Sequence, residues 1–369
     1  MRRKKLPTRV IGKKLAKRLF RGRKDKQNTG KYYWTVGEWV THWYSLYKES
    51  KHSITTRQVQ MVYINSHIIP CIGDILLHKI TAADLQKFFN TLSREGNRCK
   101  LKNSNKYGGP LSTSCLEKIR SLLQSAFDAA VREGHIEKNP VRETESISVR
   151  TLKIAFFTKK QQSVFLKQTI KHRFHVAYQL LFYTGCRRSE ILGLSWDCVD
   201  LERSFIRITQ VLVIVNGVPV LKFYPKSKNS VRSIPLHPSL TKLLKAHKKK
   251  QDLESQISGW RNEHNLVFTN RDGSPHNPNY FLRNFKNVIK KLGFSDSLRI
   301  HSTRHTFTTN MLQIPGISIA DVQRLGGWSD TRIILEVYAH TVNETQRKAV
   351  HKLYEQNHPI EKKSRKGKL

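Results

Sequence analysis

Val176-Ala-Tyr-Gln-Leu-Leu-Phe-Tyr183 runs directly into Thr184-Gly-Cys-Arg-Arg-Ser-Glu190. The first stretch reads as an apolar helix, and Gly185 as its stop. Downstream, strands are predicted at Phe205 to Ile208, Val211 to Val215 and Val218 to Phe223, the last two joined by an Asn216-Gly217 turn. A short strand is expected around Ser233-Ile234. Helices then return, at Pro238 to about Lys250, Asn279 to Leu292, Arg304 to Met311, Ile319 to Leu325 and Asn343 to Tyr354. One more helix should start after Thr158. The order is helices, a small antiparallel β-sheet, then helices again. Residues 146–359 therefore read as one mixed α/β domain.

Upstream, residues 32–145 read as helices only. Thr35-Val-Gly-Glu38 has the capping-box pattern, and Val36, Trp39, Val40, Trp43 and Tyr47 follow it at helical spacing. A second helix is expected from Thr56 to Ile68, stopping before Pro70. Thr81-Ala-Ala-Asp84 opens a third, ended by Gly96, and Ser114-Cys-Leu-Glu117 opens a fourth, ended by Gly134. Asn139-Pro140 marks a helix stop, and residues 141–157 read as an extended linker. The fold class is mainly α with a small antiparallel β-sheet.

The chain of 369 residues carries 67 Lys+Arg against 27 Asp+Glu, a net charge of +40. Such an excess favours a polyanionic partner and argues against a small-metabolite enzyme. The charge is unevenly spread: +13 on a basic arm (residues 1–31), +4 on residues 32–145, +19 on residues 146–359 and +4 on a basic tail (residues 360–369). No run approaches the roughly 18 apolar residues of a membrane span, and the N-terminus lacks a signal-peptide core, so a soluble, intracellular protein is expected. Cys71, Cys99, Cys115, Cys186 and Cys198 contain no CxxC pair, which speaks against a disulfide framework or a zinc ribbon.

Several polar groups in the second domain stand out. Arg187 lies in Thr184-Gly-Cys-Arg-Arg-Ser-Glu190. Lys226 lies in Pro225-Lys-Ser-Lys-Asn-Ser-Val-Arg-Ser-Ile-Pro235, with Lys228 two residues on. His301 and Arg304 form His-x-x-Arg in His301-Ser-Thr-Arg-His305. Trp328 lies in Leu325-Gly-Gly-Trp-Ser-Asp330, and Tyr338 in Val337-Tyr-Ala-His340. Two guanidiniums can neutralise the non-bridging oxygens of a phosphodiester under attack. A tyrosine nucleophile at neutral pH must lose a proton at a cost of roughly 4 kcal/mol. A cationic pocket lowers that cost, and His301 can accept the proton. A mobile lysine can protonate the leaving oxygen.

In this order, and across roughly residues 35–355, the motifs resemble the tyrosine recombinase (phage integrase) family. In appearance they are closest to integrases of conjugative transposons and temperate phages. The resemblance implies a helical core-binding domain at 32–145 and a tyrosine recombinase catalytic domain at 146–359, clamped on duplex DNA. It implies the site residues Arg187, Lys226, His301, Arg304, Trp328 and the nucleophile Tyr338, with Lys228 open as an alternative to Lys226. Tyr354 is the decoy for the nucleophile. The implied chemistry is a 3′-phosphotyrosyl link and a free 5′ hydroxyl, needing no metal or cofactor. The implied partners are double-stranded DNA at specific sites and a homotetramer on that DNA, in the bacterial cytoplasm at the nucleoid. A host DNA-bending protein and an excisionase stay open as accessory factors. Trp328 stands where the family's commonest pattern has histidine, and an indole can donate one N–H but cannot shuttle a proton. Three competing readings remain: a type IB topoisomerase-like nicking-resealing enzyme, a catalytically silent DNA-binding protein on the same fold, and an RNA-binding protein.

Overall fold

A computed structural model of the chain describes residues 33–96, 108–147, 154–223 and 231–335. The basic arm, the basic tail, Cys99 and the helix expected from Asn343 to Tyr354 lie outside the described residues. The chain divides into two compact units, residues 1–152 and 153–369. Described residues beyond 145 still belong to the first unit: Ile147 packs against its core. Arg120 draws the preceding segment in, donating to the Val141 carbonyl (3.3 Å) and to Thr144 Oγ1 (3.3 Å).

The first unit is helical. Helix α1, Val36–Trp43, starts at Thr35, whose hydroxyl accepts the Glu38 N–H while Glu38 accepts the Thr35 N–H at 3.0 Å. Val36, Trp39, Val40 and Trp43 are buried, and Tyr44 completes their stripe. A wide π-type turn, Tyr44–Lys48, follows, and Tyr47 packs against the edge of the same core. Tyr47 ends half-buried and donates to Glu133 at 2.6 Å. The helical path that opens with α2, Ile54–Tyr63, does not stop before Pro70 as the sequence predicts. It runs through a π-type turn, Ile64–Ile68, into one more α turn, Ile69–Ile72. Proline lacks an N–H and collides with the turn before it. The wider turn relieves this: the Ile69 N–H goes back to Ile64, and Pro70 starts the next turn.

Helix α3, Ala82–Glu95, opens at the Thr81/Asp84 capping box. Helix α4, Thr113–Arg132, has its N-cap two residues before Ser114, at Ser112, whose hydroxyl accepts the Cys115 N–H. Trp39 joins α1 to α4 by donating its indole N–H to the Ala126 carbonyl at 2.8 Å. Asn139 caps a short 3-10 turn, Pro140–Glu143.

The second unit begins with α5, Lys159–Gln168, capped by Thr158 and Gln161, followed by α6, His175–Thr184, and the short α7, Arg188–Leu192. The strands are β1, Val199–Asp200; β2, Phe205–Ile208; β3, Gln210–Val215; β4, Val218–Phe223; and β5, Arg232–Pro235. They form two antiparallel sheets rather than the single one expected: β1-β2-β5 and β3-β4. Strand β2 pairs with β5 across the chain, Ile206 facing Ile234, so β3 and β4 are left as a separate hairpin. Asn216 and Gly217 turn that hairpin with φ of 51° and 85°, both left-handed. Helices α8, Pro238–Glu254; α9, Pro278–Lys291; α10, Ser302–Leu312; and α11, Ile319–Gly326 complete the described part, and residues 331–335 are helical. Phe157, Phe165, Phe174, Tyr178, Phe182, Phe281 and Phe285 fill the core, largely in edge-to-face pairs such as Phe157–Phe182.

Candidate active site

The site is built where α6 ends. Thr184 returns its hydroxyl to the Leu180 carbonyl (2.6 Å), and Gly185 turns the chain with φ +63°. A Cβ at Gly185 would lie 2.3 Å from Phe307 Cδ1, so only glycine lets α10 close on this turn. That closure brings Arg304 of α10 against the Gly185 carbonyl, which accepts its Nη1 at 2.7 Å. The same Nη1 donates to the Gly326 carbonyl.

Arg187 caps α7. Its backbone N–H donates to Glu190 Oε2 (2.8 Å) and its Nη1 to Glu190 Oε1 (2.9 Å). Its Nη2 donates to the Gly327 carbonyl at 3.1 Å. The two arginines thus meet the neighbouring carbonyls of one Gly-Gly turn. The Arg304 guanidinium lies 4.1 Å from the Trp328 ring centre, in cation–π contact. The structure therefore brings Arg187, Arg304 and Trp328 together. His301 takes the N-cap position of α10, one turn before Arg304. Lys226, Lys228, Tyr338, His340 and Tyr354 lie outside the described residues.

Arg304 is 1% exposed and Glu190 fully buried. Burial first, then the nearby Arg187, lowers the Arg304 pKa to about 10, so it stays charged at neutral pH. Burial alone would raise the Glu190 pKa, but bonding and charge from Arg232 and the charge of Arg187 outweigh it and bring it to about 2. The His301 pKa is lowered by desolvation, then by Arg304 and Arg187, which favours the neutral imidazole that can take a proton. His305 packs edge-on to His301 with ring centres 4.7 Å apart, and desolvation with the charges of His301 and Arg304 lowers its pKa to about 4. The neighbouring Arg188 donates to the Pro278 carbonyl at 3.2 Å.

Among the described residues, Nε and Nη2 of Arg304 and Nε1 of Trp328 are buried donors with no hydrogen-bond partner. A buried guanidinium with open donors and no carboxylate on it is arranged to receive an anion. Sequence reasoning missed Arg232. Its signal was the period-2 pattern of Arg232-Ser-Ile-Pro235, in which the arginine shares the buried face with Ile234.

The Phage integrase family model matches residues 153–345, and the model of the phage integrase N-terminal SAM-like domain matches residues 35–93. The chain belongs to the phage integrase family. Among the relatives of this integrase-family chain is a tyrosine recombinase XerC-like protein of Caldanaerobacter subterraneus subsp. tengcongensis. It is 26% identical over 294 residues, covering 74% of this chain and 71% of the relative. The ICEBs1 integrase of Bacillus subtilis is 25% identical over 298 residues, covering 80% of this chain and 76% of the relative. Among solved structures, the fold is shared with the Tn1549 transposon integrase in complex with a circular intermediate DNA. The TM-score is 0.69 at 20% identity, over 87% of this chain and 99% of that one. A lambda integrase dimer bound to a COC′ core site follows with a TM-score of 0.58 at 19% identity, over 88% of this chain and 84% of that one. The expected fold class is thereby shown: mainly helical, with small antiparallel sheets. Among the described residues no helix is long and apolar enough to cross a membrane.

Proposed function

We propose that this tyrosine recombinase is a site-specific integrase that cleaves and rejoins DNA through a 3′-phosphotyrosyl intermediate, to integrate or excise a mobile element. The observation that carries the reading is the set of open buried donors on Arg304 and Trp328 beside the Arg187 guanidinium. Arg187 and Arg304 hold the scissile phosphate and neutralise charge that grows on its non-bridging oxygens. Trp328 donates its N–H to the same phosphate and packs on Arg304. Tyr338 attacks, His301 takes its proton, and Lys226 protonates the leaving 5′ oxygen, with Lys228 as the alternative donor. The bond energy is kept in the phosphotyrosine, so a 5′ hydroxyl of another strand can reverse the step.

Residues 32–145 serve as the core-binding half and residues 146–359 as the catalytic half. The basic arm and tail add salt-dependent phosphate contacts. A lambda integrase tetramer is bound to a Holliday junction in a solved structure of similar fold. By that likeness this chain works as a homotetramer on double-stranded DNA; a host DNA-bending protein and an excisionase stay open as accessory partners.

A nicked duplex, carrying the site that the chain selects from a random-sequence library, tests the reading on a denaturing gel. A covalent adduct that disappears in Tyr338→Phe is expected. An adduct that persists in Tyr338→Phe, or its absence from the wild type, would overturn it.

A further inference from the structure

Strand β5 follows the lysine-bearing segment and carries a charge into the protein interior. Arg232 and Ile234 face inward on it, while Ser233 and Pro235 are exposed. The Arg232 guanidinium bonds to segments far apart in the chain. Nη2 donates to Glu190 Oε2 at 2.8 Å and Nη1 to Oε1 at 3.3 Å. Nε donates to the Leu325 carbonyl at 2.7 Å, just before the Gly326-Gly327 turn. Gly327, with φ +67°, lies so close that a Cβ there would sit 2.7 Å from Arg232 Nη1. The carbonyl of that glycine holds Arg187 Nη2.

We propose that Arg232 is a positioning residue for strand cleavage: it fixes Glu190 and the Leu325–Trp328 turn so that Arg187 and Trp328 face one phosphate. The inference rests on the recombinase reading above. Both oxygens of Glu190 are shared between Arg187 and Arg232. With Arg232 in place, the three charges sum to +1 before Arg304 is counted, and Arg187 keeps its attraction for phosphate. Without Arg232, the buried carboxylate is balanced by Arg187 alone. The half-exposed Arg187 side chain is then drawn inward, and its charge is spent on Glu190. The Leu325 carbonyl also loses its donor, so the turn beneath Arg304 loosens. Arg232 touches neither substrate nor reacting atoms in this arrangement; it acts through Arg187 and Trp328.

The test uses the full chain and the selected nicked duplex. Arg232→Met alone leaves Glu190 unbalanced and can fail to fold. The informative variants are therefore Arg232→Lys and the double variant Arg232→Met with Glu190→Gln, which removes both buried charges. Both are expected to keep the thermal midpoint and the Kd for DNA near wild type while the single-turnover cleavage rate falls about 100-fold. A neutral methylphosphonate at the scissile position no longer needs that charge balanced, and should narrow the gap between variant and wild type. A double variant that cleaves its phosphate substrate at the wild-type rate would overturn the inference, because the pair would then serve stability alone. A gap unchanged on methylphosphonate would overturn it as well. Absence of any wild-type adduct would overturn the recombinase reading itself, a result distinct from a loss confined to the Arg232 variants.

Discussion

Among the described residues, the first unit buries three polar side chains, His67, Asn139 and Thr144, whereas the second encloses Glu190, Arg232 and Arg304 beside its aromatic core. The first core is held by apolar burial with one indole bond across it, Trp39 to Ala126. In the second, charged side chains are bought out of water only because each is bonded on several sides, and two donors of Arg304 are left over. The contrast teaches where the chemistry lies. A core that needs only to be stable has no reason to bury an arginine with open donors.

The difference can be broken from either side. Trp39→Ala, in the first core, should destabilise by about 3–5 kcal/mol, seen as an early unfolding transition of the helical unit by calorimetry. Its effect on the cleavage rate of protein that remains folded should be small. Arg304→Met, in the second, should reverse the pattern. Cleavage should fall about 10²- to 10³-fold, worth ~2.7–4 kcal/mol in the transition state, in single-turnover assays on folded protein.

The pH dependence sharpens the same contrast. Glu190 is depressed from 4.5 to about 2, so it contributes stability that is complete above pH 4.5 and is lost as pH falls toward 2. Acid unfolding followed by circular dichroism should show a limb in that window, and Glu190→Gln should flatten it. Gly327→Ala should cost about 1–3 kcal/mol in strain at a left-handed backbone position and should also slow cleavage, since its Cβ would press on Arg232. The smallest effect belongs to the first unit: Thr35→Ala removes one helix cap and should cost about 1 kcal/mol, with no change in cleavage.

What could be read from the sequence follows from how local each feature is. The caps at Thr35, Thr81 and Thr158 and the Asn216-Gly217 turn are settled within four residues, and the structure has all of them. Strand β2 was legible as a strand but its partner was not, because pairing with β5 joins residues far apart in the chain. The helical path through Pro70 is equally illegible in the local sequence. The wide turn that admits it is set by packing of Ile64 and Ile68 in the core, not by the proline's own neighbours. In the site, Arg187, His301, Arg304 and Trp328 were legible as motif residues. Arg232 was not, because its meaning comes from Glu190 and Leu325, which only folding brings to it.

A positive pocket around Arg304 that serves a single tyrosine leaves the phosphodiester on that residue alone. Digesting the trapped protein–DNA adduct and sequencing the nucleotide-bearing peptide by mass spectrometry tests it directly. The phosphodiester is expected on Tyr338. The same label on Tyr354, or on any residue other than Tyr338, would contradict it.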